Sequence, residues 1–242
     1  MIISAQITSR GGRSRNEDTV LTETQPYGFF GIVADGLGGH GGGEIASREA
    51  ALSFSEDYRQ RKLMTKEQFS DAFEKAGKKV EARQSVQCSM KTTSVVLAVE
   101  NGMARWAHTG DSRLYHFYQK HLVDQTMDHS VSQMAVLMGE ITPDQIRFHE
   151  DRNRVLRALG SENWEPTISQ KIRVDNGFHA FLLCSDGFWE YVYEKEMEEE
   201  LEKAETPKAW LDAMEKLLLG RVKENNDNYT ALAVFVKQDE QA

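Results

Sequence analysis

Apolar positions in this chain fall into two kinds of run: short continuous blocks, and longer stretches with a helical repeat. Ile2 to Thr8 and Gly28 to Ala34 are of the first kind and read as strands. From Glu44 to Tyr58 the period changes. Ala46, Ala50 and Phe54 recur every four residues, flanked by Ile45, Leu52 and Tyr58, which predicts a packed helix. A second helix starts with the capping-box pair Thr65 and Gln68 and keeps Phe69, Ala72, Phe73, Ala76 and Val80 on one face. Thr93 to Val99 and Ala104 to His108 are strands joined by Glu100-Asn101-Gly102, an Asn-Gly hairpin signal. Leu114 to Tyr118 is a further apolar run. Ser130 to Met138 predicts a helix ended by Gly139, and Thr142-Pro143 opens a short one. Ile168 to Val174 and Phe178 to Cys184 read as strands, Glu194 to Glu205 and Pro207 to Leu219 as helices, the first a glutamate-rich solvated face, and Thr230 to Val236 as the last strand. Hairpin-linked strands with paired helices favour an antiparallel α+β layout over alternating βαβ units.

No Pro-rich or low-complexity linker divides the 242 residues, so a single domain over 1–242 is expected. Lys and Arg number 29 against 38 Asp and Glu, a formal net charge of −9, which argues against a nucleic-acid backbone as partner. That surplus has two readings: plain solubility, or carboxylates gathered where they hold cations. The two cysteines, Cys88 and Cys184, cannot make a disulfide framework and form no Cys-x-x-Cys pair. The first residues lack the basic and apolar regions of a signal peptide, and no apolar run approaches the roughly 18 residues of a membrane span. A soluble, cytoplasmic monomer without a membrane partner is the expectation.

Aspartate recurs at strand ends. Phe29 to Ala34 runs into Asp35-Gly36, Met103 to Thr109 into Gly110-Asp111-Ser112, and Phe181 to Ser185 into Asp186-Gly187. Asn226-Asp227-Asn228 stands just before the last strand, and Asn16-Glu17-Asp18 follows the first. Any one Asp-Gly is an ordinary turn dipeptide. Five acidic groups at strand ends are another matter: rigid positions can aim several carboxylates at one point, where they repel and call for a cation. An oxygen-only set, without Cys pairs or a His-x-x-x-His pair, selects Mg²⁺ or Mn²⁺ and predicts a carboxylate site, of two metals.

These residues also resemble a known family. Arg13-Ser14-Arg15-Asn16-Glu17-Asp18, Val33-Ala34-Asp35-Gly36-Leu37-Gly38-Gly39-His40, Gly110-Asp111-Ser112-Arg113, Cys184-Ser185-Asp186-Gly187-Phe188-Trp189 and Asp227-Asn228-Tyr229-Thr230 are similar, in order, to the motifs of the type 2C (PPM) metal-dependent serine/threonine protein phosphatases, bacterial branch. The resemblance implies a four-layer α-β-β-α sandwich of two antiparallel sheets flanked by helix pairs, with two Mn²⁺ or Mg²⁺ ions at one end. It implies that Asp35 bridges both metals, that the Gly36 carbonyl joins one of them, and that Asp186 and Asp227 hold the second. Glu17 and Asp18 act mainly through bound water, Asp111 belongs to a third and weaker metal, and Arg13 grips the substrate phosphate. The implied reaction is in-line attack of a metal-bridging hydroxide on phosphoserine or phosphothreonine in proteins. Phosphoproteins are then the substrates, and a bacterial Ser/Thr kinase is the opposing enzyme.

One position departs from the pattern. Leu37 follows Asp35-Gly36 where eukaryotic relatives carry a histidine that serves as general acid. Either His40 takes that role or a metal-bound water donates the proton. His129 reads as helix-start structure, Cys184 as core, and Phe188 and Trp189 as packing. Residues 139–165 correspond to the family's flap; its Arg147, His149, Arg152, Arg154 and Arg157 either meet acidic substrates or form a solvated face. Two rival readings are weaker. Gly36 to Gly41 satisfies G-x-G-x-x-G, but Asp35 would face the pyrophosphate and Asp57 lies in a helical pattern. A non-catalytic phosphoprotein binder would have lost part of the Asp35, Asp186 and Asp227 set.

Overall fold

Strands this apolar on both faces must be covered on both faces, and they are. The structure, a computed structural model, describes residues 1–38 and 41–237. The His40 expectation falls outside them. One antiparallel sheet runs β1 (Ile2–Ser9), β13 (Tyr229–Lys237), β12 (Phe178–Cys184), β8 (Arg113–Tyr118), β9 (His121–Gln125). The other runs β10 (Thr167–Ile168), β7 (Met103–Thr109), β6 (Ser94–Glu100), β3 (Gly28–Ala34), β2 (Thr19–Gln25), with β11 (Ile172–Arg173) also on β7. Phe29, Val33, Leu97, Phe181, Leu183 and Val234 fill the space between the sheets. Their neighbours Phe30, Ile32 and Val96 point the other way, onto α1 (Gly43–Gln60) and α2 (Lys66–Glu81). Leu182, Ala233 and Phe235 likewise meet α5 (Glu194–Lys203) and α6 (Pro207–Leu219). The result is the α-β-β-α sandwich.

Local signals act where expected. Thr65 and Gln68 close a reciprocal capping box on α2. Asn101 and Gly102, at φ 49 and 73, turn the β6–β7 hairpin. Ser130 caps α3 (Val131–Leu137), and Thr142-Pro143 opens a 3₁₀ turn over Pro143–Phe148. Three expectations need correction. Ile168 to Val174 is not one strand: Ser169 exchanges backbone and hydroxyl bonds with Trp106 between two two-residue pieces. The helix from Glu194 stops at Lys203, because Ala204 is extended. Its glutamates are not a solvated face throughout, since Glu196 pairs with Arg221 and Glu198 accepts the Leu122 N–H.

Antiparallel register gathers the acidic residues at one end. Ala34 pairs with Thr19, Ser94 with Thr109, Arg113 with Cys184 and Ser9 with Tyr229. Asp18, Asp35, Asp111, Asp186 and Asp227 each lie one or two residues beyond these pairs. A two-residue ladder of β4 (Gly36–Leu37) and β5 (Lys91–Thr92) continues over that end.

The opposite region carries a pH dependence. His116 stacks on Phe181 at 4.7 Å, its Nε2 lies 3.0 Å from His179 Nδ1, and Asp124 is its partner on β9. Burial, and secondarily the His179 ring, pushes His116 from 6.5 down to about 4. The folded chain therefore refuses a proton that the unfolded chain accepts between those values. The His116 contribution to stability is full above about pH 6.5 and is lost, by about 3 kcal/mol, as the pH drops to 4. The raised carboxylates Asp18, Asp35, Asp111 and Asp186 act in the opposite sense in the metal-free protein, so the readout is a difference: between pH 7 and 4.5 the parent's urea midpoint should fall relative to that of His116→Phe. An unchanged slope in the variant rejects the account.

Candidate active site

Backbone hydrogen bonds set each carboxylate. The Asp35 carbonyl accepts from Thr93 N at 2.9 Å and from Thr92 Oγ1 at 2.8 Å. Thr93 Oγ1 in turn lies 2.7 Å from Ser112 Oγ, tying the Asp35 turn to the Asp111 turn. Ser185 Oγ donates to Asp18 Oδ2 at 2.7 Å and accepts the Thr230 N–H at 3.0 Å. Asp186 opens the single turn α4 (Asp186–Trp189). Asn228 clasps the Arg-rich segment: its Nδ2 reaches the Arg10 and Arg15 carbonyls, and its Oδ1 accepts from Glu17 N. Gly36 is required by space, since a Cβ there would sit 2.2 Å from the Gly43 carbonyl oxygen and 2.7 Å from that of Glu17. The Gly36 carbonyl and a Glu17 carboxylate oxygen both crowd the bare Cα of Gly43.

Arg13, Glu17, Asp35, Gly36, Asp111, Asp186 and Asp227 line one cleft of about 360 Å³, with Leu37, Asn153 and Val155. Asp18 lies behind it, buried. Burial pushes Asp35 and Asp186 well above the usual carboxylate range, and mutual repulsion adds to it. Around Asp35 the repelling charges are Asp18, Asp186, Asp111 and Asp227. Burial likewise lifts Asp18 to about 6 and Asp111 to about 7. Glu17 is raised by burial and then by Glu44. Arg13 and Arg15 both line the cleft, and Arg13 meets the group directly, with Nε and Nη2 on the two Asp227 oxygens at 3.0 and 2.8 Å.

Two buried oxygens, Asp18 Oδ1 and Asp111 Oδ1, have no hydrogen-bond partner. Buried acceptors in an over-acidic, oxygen-only pocket fit a hard divalent cation. Among the described residues, no three His, Cys, Asp or Glu side chains form a ready ligand group. An ion here would complete its shell with backbone oxygen, such as the Gly36 carbonyl, and with water.

A family model described as protein phosphatase 2C matches residues 9–232. The chain belongs to that family. The serine/threonine phosphatase stp of Listeria monocytogenes is 34% identical over 217 residues, covering 82% of each chain. The Mycobacterium tuberculosis phosphatase PstP is 30% identical over 93% of this chain, which spans 43% of that longer protein. Among solved structures, a Staphylococcus aureus serine/threonine phosphatase has a TM-score of 0.86 at 26% identity, covering 98% of this chain and 96% of that one. The PstP catalytic domain, solved with two manganese ions, has a TM-score of 0.81 at 25% identity, covering 98% and 99%.

In this member of the protein phosphatase 2C family, the support behind the carboxylates was not visible in the motifs. Trp189 is more than packing: its Nε1 donates to the Asp111 carbonyl at 2.9 Å, and the Arg113 guanidinium stacks 3.5 Å over its ring. Arg147 and Arg152 neither form a solvated face nor stand free for substrate. Arg147 is buried against the Trp189 carbonyl and Glu194, and Arg152 holds Glu190 at 2.8 Å. Both pin residues 139–165 to the turn that carries Asp186. Arg154 pairs with Asp151, and Arg157 reaches the Glu165 carbonyl. His129 does start a helical region, and its backbone N–H also donates to the Gly110 carbonyl at 2.9 Å. Nothing in the motifs signalled these pairs, whose members lie 47 and 38 residues apart.

Proposed function

We propose that this chain hydrolyses phosphoserine and phosphothreonine in proteins, as a metal-dependent phosphatase working in the cleft of Asp35 and Asp186. The observation that carries this reading is the carboxylate cluster beside Arg13, in which a buried oxygen of Asp18 and one of Asp111 have no hydrogen-bond partner. Asp35, Asp186, Asp227, Asp18, Glu17 and the Gly36 carbonyl would hold two ions, and Asp111 would serve a weaker third. Mn²⁺ or Mg²⁺, when bound, supplies charge neutralisation for the phosphate dianion and acidifies water near neutral pH. Neutralising Asp227 releases its bidentate hold on Arg13, whose planar fork then suits two phosphate oxygens. Water adds to phosphorus, the P–O bond to the serine or threonine oxygen breaks, and the hydroxyl is regenerated. Leu37 lines the cleft where a histidine donor would stand, so we assign the leaving group's proton to water. Residues 139–165 form the flap of a single catalytic domain, and the enzyme acts as a cytoplasmic monomer opposite a separate kinase.

The test is hydrolysis of p-nitrophenyl phosphate and of phosphoserine and phosphothreonine peptides, before and after chelation. Activity should vanish with EDTA and return with Mn²⁺ or Mg²⁺. A protein that turns over none of these substrates with either ion is not this enzyme.

A further inference from the structure

Beside the catalytic cleft lies a second hollow, of about 440 Å³, open along one edge of the sandwich. Trp106 and His108 of β7 line it, and Met127, Met134, Leu137 and Leu156 surround it. These four large apolar side chains are 60%, 42%, 63% and 45% exposed. Scattered apolar residues on a surface need no explanation, but four around one hollow mark a contact site. Methionine fits such a use, because its unbranched thioether chain adapts to different apolar shapes.

The hollow and the cleft share a wall one strand thick. Residues 154–156 pair with 129–131: Val131 N donates to the Arg154 carbonyl at 3.0 Å and Leu156 N to the His129 carbonyl at 2.7 Å. Asn153 and Val155 line the cleft, whereas the next two residues, Leu156 and Arg157, line the hollow. The wall is fixed to the Asp111 turn as well. Gly110 N donates to His129 Nδ1 at 3.2 Å, and the His129 ring stacks on His108 at 4.5 Å.

Resting on the phosphatase reading, we propose that this hollow seats an apolar side chain of the phosphoprotein substrate. A wall one strand thick separates the two sites by on the order of 10 Å, so the side chain lies about three to five residues from the phosphorylated one. Continuity with the cleft singles out the substrate as occupant. A peptide with its phosphate on Arg13 has only the 153–157 segment to cross before it meets this groove.

The test uses phosphothreonine peptides carrying leucine or serine at each position from two to six residues on either side. p-Nitrophenyl phosphate, too small to reach the hollow, is the control. The unaltered enzyme should favour leucine at one position by about tenfold in kcat/KM, through KM, as expected for burying one such side chain. Leu137→Gln and Met134→Gln, both at exposed sites, should each erase most of that preference and leave p-nitrophenyl phosphate hydrolysis within about twofold. No leucine preference at any position, or a preference that survives both substitutions, overturns the proposal. So does a groove that proves to be a self-contact, with the substitutions altering oligomeric state by size exclusion and leaving peptide preference alone. Failure to hydrolyse p-nitrophenyl phosphate at all is a separate result: it removes the phosphatase reading and the proposal with it.

Discussion

Asp35→Asn should lower kcat/KM for p-nitrophenyl phosphate by about a thousandfold or more, the scale on which loss of a central electrostatic group is felt. It should also weaken Mn²⁺ binding measured by calorimetry. The same change should raise the melting temperature of the metal-free protein. Asp35 is held well above the usual carboxylate range by burial and by four neighbouring carboxylates, so its charge costs stability in the apo fold. An uncharged amide of the same shape removes that cost. Opposite signs for function and stability separate a binding-site residue from a merely structural one. If activity and Mn²⁺ affinity both persist, Asp35 does not belong to the metal centre.

The strand-end aspartates were legible because each combines a local signal with a long-range one. A continuous apolar run announces a strand covered on both faces, and Asp-Gly at its end announces a turn. Antiparallel pairing then brings Asp35, Asp111 and Asp186 to one end with Asp18 and Asp227. What the pattern could not reveal lies at edges and in tertiary pairs. β2 and β9 are edge strands whose segments Thr-Val-Leu-Thr-Glu-Thr-Gln and His-Leu-Val-Asp-Gln contain no fully buried residue, so they carry neither a continuous apolar run nor a clean alternation. Arg147 in a flap segment looks like a surface charge. Only the fold places Glu194 and the Trp189 carbonyl beneath it. The Glu194–Lys203 helix looked solvated for the same reason: its partners Arg221 and Leu122 are distant in sequence.

The largest stability effect should come from Asp128. Its two oxygens receive Arg113 Nε and Nη2 at 2.8 Å each, and both side chains are nearly inaccessible to water. Asp128→Ala leaves the Arg113 guanidinium buried with Glu194 as its remaining carboxylate, at 3.7 Å. Removing one partner of a buried pair costs about 3–5 kcal/mol, because the desolvation penalty of the survivor is no longer offset. Glu194 and the stacked Trp189 ring place this case near the lower end, a drop in melting temperature of roughly 6–12 °C for a chain of this length. Replacing both members, Arg113→Met with Asp128→Leu, should recover most of the loss, since no charge is then left without a partner. Activity should not recover with it. Arg113 braces Trp189, Trp189 Nε1 holds the Asp111 carbonyl, and the double variant loses that brace even where it regains stability. Urea denaturation and p-nitrophenyl phosphate kinetics on the three proteins would separate the two effects. A single variant within about 1 kcal/mol of the parent means the pair is not carrying a buried charge. A double variant with full kcat means the Arg113–Trp189 stack does not position the Asp111 turn.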